Sequence, residues 1–276
     1  MKLFKKKLIP LLLVFTMLVP GLVLADAAVG DVIVTLGEDL TEDQKQKLLN
    51  EMGAPTDVDI VYVTNAEEHQ YLGQYISART IGTRALSSSM ITLTESGSGI
   101  NVRTNNIKWV SEGMYANALV TAGVKDADIY VTAPIEVSGT AGLTGLIKAY
   151  EITAEIEIPE EQKQIANEEM VRTGQLAESI GVEEATELMN RIKEEIAQNP
   201  IETEADLRAL IQRVAQEMGI TLTDEELNGL VSLFMRLKDL NINWDQVQNQ
   251  IGKVRENLGD YLNREDTQNM IATFLD

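Results

Sequence analysis

The 276-residue sequence contains no cysteine, and that absence removes several possibilities at once. No disulfide framework can hold the fold, so stability must come from a packed core. A lipid-anchored export route is excluded, because the lipid is attached to a cysteine. With only one histidine besides, metal sites built on soft ligands, zinc sites included, are excluded as well. No Cys–His nucleophile pair exists, and a serine triad would have only His69 to draw on. We therefore expect no metal and no cofactor. Basic residues are also scarce, 23 against 43 acidic, for a net charge of −20. Nucleic acid and anionic lipid bind through Lys and Arg, so such a chain repels both. It suits cationic partners, or divalent ions bridging it to an anionic cell wall; solubility is the plainest use of the charge.

Apolar runs long enough to cross a bilayer are missing beyond the first residues, but the first residues carry a clear signal. Lys2, Lys5, Lys6 and Lys7 precede a nearly unbroken apolar stretch from Leu8 to Leu24, broken by Pro10 and by Pro20-Gly21. Val23-Leu24-Ala25 then offers small or β-branched side chains to a signal peptidase. That order of parts is a secretory signal peptide over residues 1–25, too short and too interrupted for a membrane anchor. Its removal takes four lysines and no acid, leaving 19 basic and 43 acidic residues on a secreted, extracytoplasmic chain. The C-terminus from Ile271 to Asp276 shows no sorting signal.

Composition changes near Pro159, and the pattern predicts an α/β domain over 26–158 followed by an all-helical region over 159–276. In the first part, strands are expected at Asp31–Leu36, Val58–Thr64 and Ala127–Ala133. Ser89–Thr94 and Ile100–Thr104 flank Gly97-Ser98-Gly99 and read as a β-hairpin. Helices are expected after Thr41 (a capping box with Gln44), over Ala66–Ser77 with Asn65 as cap, over Trp109–Ala122, and from Ser138-Gly139-Thr140 to about Glu151. Strand–helix alternation of this kind argues for a mixed sheet covered by helices. The second part reads as about six helices, divided by Gly181, Asn199-Pro200, Gly219 and Asn241–Asn243, with Thr203 and Thr223 as caps.

Candidate chemistry is thin. His69 lies in a helical stretch beside Glu68, a conceivable general base but more simply a surface residue. Asp239–Asp245 imitates the start of an EF-hand loop and then fails, with Trp244 in the glycine position and Gln250 where a bidentate Glu belongs. Asn243 with Gln246 reads instead as a helix cap. Asp57/Asp59 and Asp126/Asp128 would hold calcium only if the two strand starts converged. The stretch Ala133–Gly145 runs from a strand through Ser138, Gly139 and Thr140 into a helix, the arrangement whose free amides bind anions. It is no P-loop, since Lys148 comes a full turn too late. Its glycines serve close helix–sheet packing equally well.

A short echo links two parts of the chain: Asp57-Val-Asp-Ile-Val-Tyr-Val-Thr64 and Asp126-Ala-Asp-Ile-Tyr-Val-Thr132. Each is flanked by helical patterns, as in a duplicated βαβα unit, though ordinary strand composition accounts for it too. If the junctions after the two strands lie side by side, Thr64, Asn65, Glu68, Ser138, Gly139 and Thr140 line one polar cleft at strand ends, a frequent ligand position.

Several stretches in series (Thr64–Glu68 with Tyr71-Leu72-Gly73, Ile81–Ser88, Asn117–Gly123, Val137–Thr144, Lys148–Glu151 and Thr173–Ala177) resemble the YpuA-like family of exported proteins from Gram-positive bacteria, a domain-of-unknown-function family. The resemblance runs from about residue 30 to the C-terminus. It implies export and a shared fold, and it carries over no catalytic or binding residue. The expected function is thus a non-enzymatic binding or interaction protein of the cell envelope, with a wall component or envelope protein as partner. The rivals are a hydrolase using carboxylates such as Glu68 and Glu136, and a carrier of a small anion or sugar built on Ser138–Thr140.

Overall fold

The structure is a computed structural model that describes residues 28–199 and 201–262. The expected signal peptide and the C-terminal residues 271–276 lie outside these residues. Among the described residues no helix is long and apolar enough to cross a membrane.

Five strands form one mixed sheet in the order β2-β1-β3-β5-β4. They are β1 (Val32–Gly37), β2 (Asp59–Val63), β3 (Ser88–Leu93), β4 (Ile100–Ile107) and β5 (Ala127–Val137). β1 and β2 are parallel, as are β4 and β5, and β3 runs antiparallel between the pairs. The carboxyl ends of the parallel strands consequently share one rim of the sheet. The interleaved helices are α1 (Glu42–Met52), α2 (Asn65–Leu72), α3 (Ala78–Ile81), α4 (Glu112–Ala122) and α5 (Thr140–Thr153). The expected mixed sheet followed by helices is therefore what the chain forms.

The expected hairpin is not formed, because β5 lies between β3 and β4. Residues 95–98 do make a turn, with Ser98 N donating to Glu95 O at 3.0 Å, but the strands on either side of it do not pair with each other. The start of β5 then fits into the gap: Thr94 N donates to Asp126 O and Ala127 N to Gly99 O, both at 3.0 Å. The Asp126 side chain locks the wedge by accepting from Gly99 N at 2.8 Å. This gives the longest strand, with Ile129 and Val131 buried, two neighbours instead of one.

Alternation along the strands separates two faces. Val34 and Leu36 meet Leu48 and Met52 of α1 on one side, while Ile33, Ile91, Ile129 and Val131 meet α4 and α5 on the other. The crossover helices α1 and α4 thus lie on opposite faces, and the echo is confined to each second strand and the helix that follows it.

The second part contains five helices among the described residues, with residues 263–276 of the expected helical region outside them: α6 (Glu160–Ile180), α7 (Val182–Gln198), α8 (Glu204–Glu217), α9 (Asp224–Asp239) and α10 (Trp244–Leu262). Thr203 and Thr223 cap α8 and α9 as expected, and Asn243 Oδ1 accepts from Gln246 N at 3.0 Å. Helices α6 to α9 bury one apolar cluster, around Leu188, Ile211 and Phe234. Meanwhile Met170 and Val171 of α6 and Ile251 and Val254 of α10 pack into the core beneath the sheet. Where α4, α6 and α7 meet, Lys193 Nζ reaches Glu169 Oε1 at 2.7 Å and Asn117 O at 3.0 Å. The Thr121 hydroxyl donates to the other Glu169 oxygen. Both charged side chains are buried.

Candidate functional site

The junction after β2 is built by a cap. Thr64 accepts from Glu67 N through its hydroxyl while the Glu67 carboxylate accepts from Thr64 N at 2.8 Å, so the cap is Thr64, one residue earlier than expected. Asn65 becomes the first helical residue. α2 stops at Leu72, and Ser77 caps the short α3 instead of ending a longer helix. The junction after β5 is built by a glycine: Gly139 sits at φ +96°, a left-handed conformation that only glycine adopts without strain. Tyr115, beneath it, donates its hydroxyl to Gly139 O. No side chain caps α5 and no acid lies in its first turn, whereas Thr or Ser capping boxes close α1, α2, α4, α8 and α9.

The two junctions meet. Thr140 donates its hydroxyl to Glu68 Oε1 at 3.0 Å, and Asn65 Nδ2 donates to Glu68 Oε2 at 3.1 Å. Ser138 Oγ lies 3.1 Å from Thr140 Oγ1. A cleft of about 290 Å³ opens over these groups, with Glu68, Ser138 and Thr140 on one side and the segment Arg79–Arg84 with Ser87 on the other. Ile135 and Val137, on the part of β5 that outruns β3, form its apolar flank. Of the six residues singled out from the sequence, Glu68, Ser138 and Thr140 line the cleft. Asn65 holds Glu68, Gly139 shapes the turn, and Thr64 is occupied as the cap with Glu67.

Burial dominates the electrostatics of Glu68, which is 2% exposed. Loss of water pushes its carboxyl up from the ordinary 4.5 to about 7, against the bonds from Asn65 and Thr140 and the nearby His69, and with Asp39 adding to the rise. No Lys or Arg among the described residues forms an ion pair with it, so it stands ready to hold or release a proton near neutrality. Glu136 does not join it: that side chain is half exposed and paired with Lys108 at 2.7 Å. The two carboxylates expected for glycosidic chemistry are therefore not brought together.

Sequence reasoning missed Arg79 and Arg84. Both are exposed, both line the cleft, and neither forms an ion pair or ring contact with a described residue. Arg103, by contrast, stacks over the Tyr130 ring, and the other described arginines are bound to carboxylates. For Arg84 the available signal was the segment Ile81–Ser88, which carried part of the family resemblance without a stated role; Arg79 lies just before it. His69 is half-buried rather than a free surface residue; its Nε2 lies 3.2 Å from Gly82 O and ties α2 to this segment. Asp126 and Asp128 are engaged by Gly99 and Asn101, and β1 and β3 separate their strand from Asp59 on β2.

The family described as "Protein of unknown function (DUF1002)" matches residues 36–254, and the chain belongs to it. The Bacillus subtilis (strain 168) protein named "Uncharacterized protein YpuA" is 50% identical over 264 residues, covering 95% of this chain and 91% of that one. No solved structure matches.

Proposed function

We propose that the chain is an exported, non-enzymatic binding protein whose cleft holds a small ligand bearing a phosphate or carboxylate group. One observation carries this reading: in a chain of net charge −20, the two arginines left without a carboxylate or ring among the described residues line the same cleft. Carboxylates outnumber cations nearly two to one here. Guanidinium groups kept out of ion pairs are available for an oxyanion, which they grip in a planar fork. The first turn of α5, which no side chain caps and which holds no acid, adds the positive end of its dipole. The neutral form of Glu68 presents no opposing charge. The export step rests on the charged and apolar order of residues 1–25.

The test is a calorimetric titration of the protein starting at Asp26 with inorganic phosphate and with citrate, at low ionic strength and pH 6. Saturable binding that weakens at least tenfold in the Arg79→Gln/Arg84→Gln double variant supports the reading. Heats that are absent at 10 mM ligand, or unchanged in the variant, overturn it.

A second reading has its own observation. The hydroxyls of Ser138 and Thr140 lead in series to Glu68, a carboxyl near 7, which is the arrangement of a relayed general base. Hydrolysis of p-nitrophenyl esters that vanishes in Glu68→Gln would favour an enzyme over a binding protein.

A further inference from the structure

We propose that a second cavity, between α2, α5 and α6, is a binding site for an uncharged, polyhydroxylated ligand of monosaccharide size. The cavity encloses about 200 Å³, where a single water needs only ~15 Å³. It is separate from the cleft: Glu67 lines it while the next residue of α2, Glu68, lines the cleft.

The charges of the lining cancel. Glu67 is paired with Lys148 at 2.7 Å and Glu151 with Lys163 at 3.1 Å. Lys148 also donates to Tyr62 O and Glu151 accepts from Ile158 N, so each pair is tied to backbone as well. A charged ligand of either sign would have to break one of these closed pairs and would meet a like charge beside the opposite one. A neutral ligand keeps both.

The buried part of the lining asks for hydroxyl groups. Thr144 and Asn167 are almost fully buried, and the Thr144 hydroxyl and the Asn167 carbonyl oxygen have no hydrogen-bond partner. The orientation of the Asn167 amide is set by its nitrogen, which donates to Lys163 O at 2.8 Å, leaving the carbonyl as a pure acceptor. A hydroxyl both gives and takes, so a ligand rich in O–H groups satisfies the two together, which a carboxylate cannot do. Leaving such groups unpaired is costly, and sites built this way discriminate strongly for a ligand that carries the missing donor. Ile147 and the Tyr71 ring supply apolar surface for the C–H faces of the same ligand.

The experiment is a 1H–15N NMR titration of the protein with glucose, galactose, N-acetylglucosamine and myo-inositol, each to 100 mM, alongside glycine and glucose 6-phosphate. The expected result is saturable shifts on α2, α5 and α6 from at least one neutral compound, weakened at least tenfold in Thr144→Val/Asn167→Leu. If that variant does not fold, Tyr71→Leu takes its place, since Tyr71 is only half-buried. No saturable shifts from any neutral compound, shifts unchanged in the variants, or tighter binding of glycine or the sugar phosphate at Thr144, Ile147 and Asn167, which line the cavity and not the cleft, overturns the proposal. Phosphate binding at Arg79 and Arg84 is read separately, so either site can fail while the other stands.

Discussion

Thr140 donates to Glu68 at 3.0 Å across 72 positions of sequence, and through that bond the ends of β2 and β5 act on one carboxyl group. The bond favours the charged form, yet burial wins and the carboxyl sits near 7. Ionising Glu68 therefore costs folding free energy. With the folded value above the unfolded one, the folded chain holds more protons between about 4.5 and 7, and stability falls as pH rises through that window.

Glu68→Gln keeps an acceptor for Thr140 and removes the ionisation. The variant is expected to match the parent near pH 4 and to exceed it above pH 8 by on the order of 3 kcal/mol, the equivalent of the shift. Urea denaturation of both proteins at the two pH values checks this. A difference independent of pH would show that Glu68 does not titrate in this window.

Glu51 gives the opposite sign. Burial alone would raise it, but bonds from Asn105, Thr132 and Tyr130 outweigh that and hold it below the usual carboxylate range. Its contribution is present above about pH 4.5 and is lost as pH falls through the lowered value. Glu51→Gln should cost stability at pH 7, and the cost should shrink as the pH falls below 4.5, read by the same denaturation series.

Lys193 and Glu169 form a buried pair whose partners depend on each other. Lys193→Met leaves the carboxylate uncompensated and is expected to cost about 3–5 kcal/mol. Adding Glu169→Leu should recover most of the loss, because an apolar pair replaces a buried ion pair at little cost. Equal denaturation midpoints for single and double variants would refute the coupling.

Close packing of α5 sets a further test. A Cβ at Gly142 would lie 2.7 Å from the Tyr115 hydroxyl and 2.9 Å from Val131, and one at Gly145 would lie 2.7 Å from Thr35. Gly142→Ala and Gly145→Ala should each destabilise by about 1–3 kcal/mol despite the better helix former. Gly252→Ala in α10, where a Cβ meets nothing within 4 Å, should instead stabilise by up to about 1 kcal/mol. Thermal melts of the three variants distinguish the cases.

What could be read from the sequence was local. Thr41, Thr203 and Thr223 announced their helices because a cap needs only residues three positions apart. Ser138, Thr140 and Glu68 were found through turn chemistry and an echo between two strands. The insertion of β5 was hidden, because the bonds that wedge it in join Asp126 to Thr94 and Gly99, distant in sequence and ordinary in type. Arg79 and Arg84 were hidden for a different reason: their distinction is the absence of a carboxylate partner, a property of the folded surface. The cavity between α2, α5 and α6 likewise exists only once three separate helices have packed.

The last described helix bears on timing. α10 packs against β4 and α4, and the Tyr261 hydroxyl donates to Ile100 O at 2.9 Å, 161 positions earlier. A ribosome adding about 5–20 residues per second reaches Tyr261 roughly 8–30 s after Ile100. Throughout that interval the apolar side chains that α10 will cover, Ile100 and Val102 among them, stay open to chaperones. The nascent chain is thus kept receptive until α10 has been made.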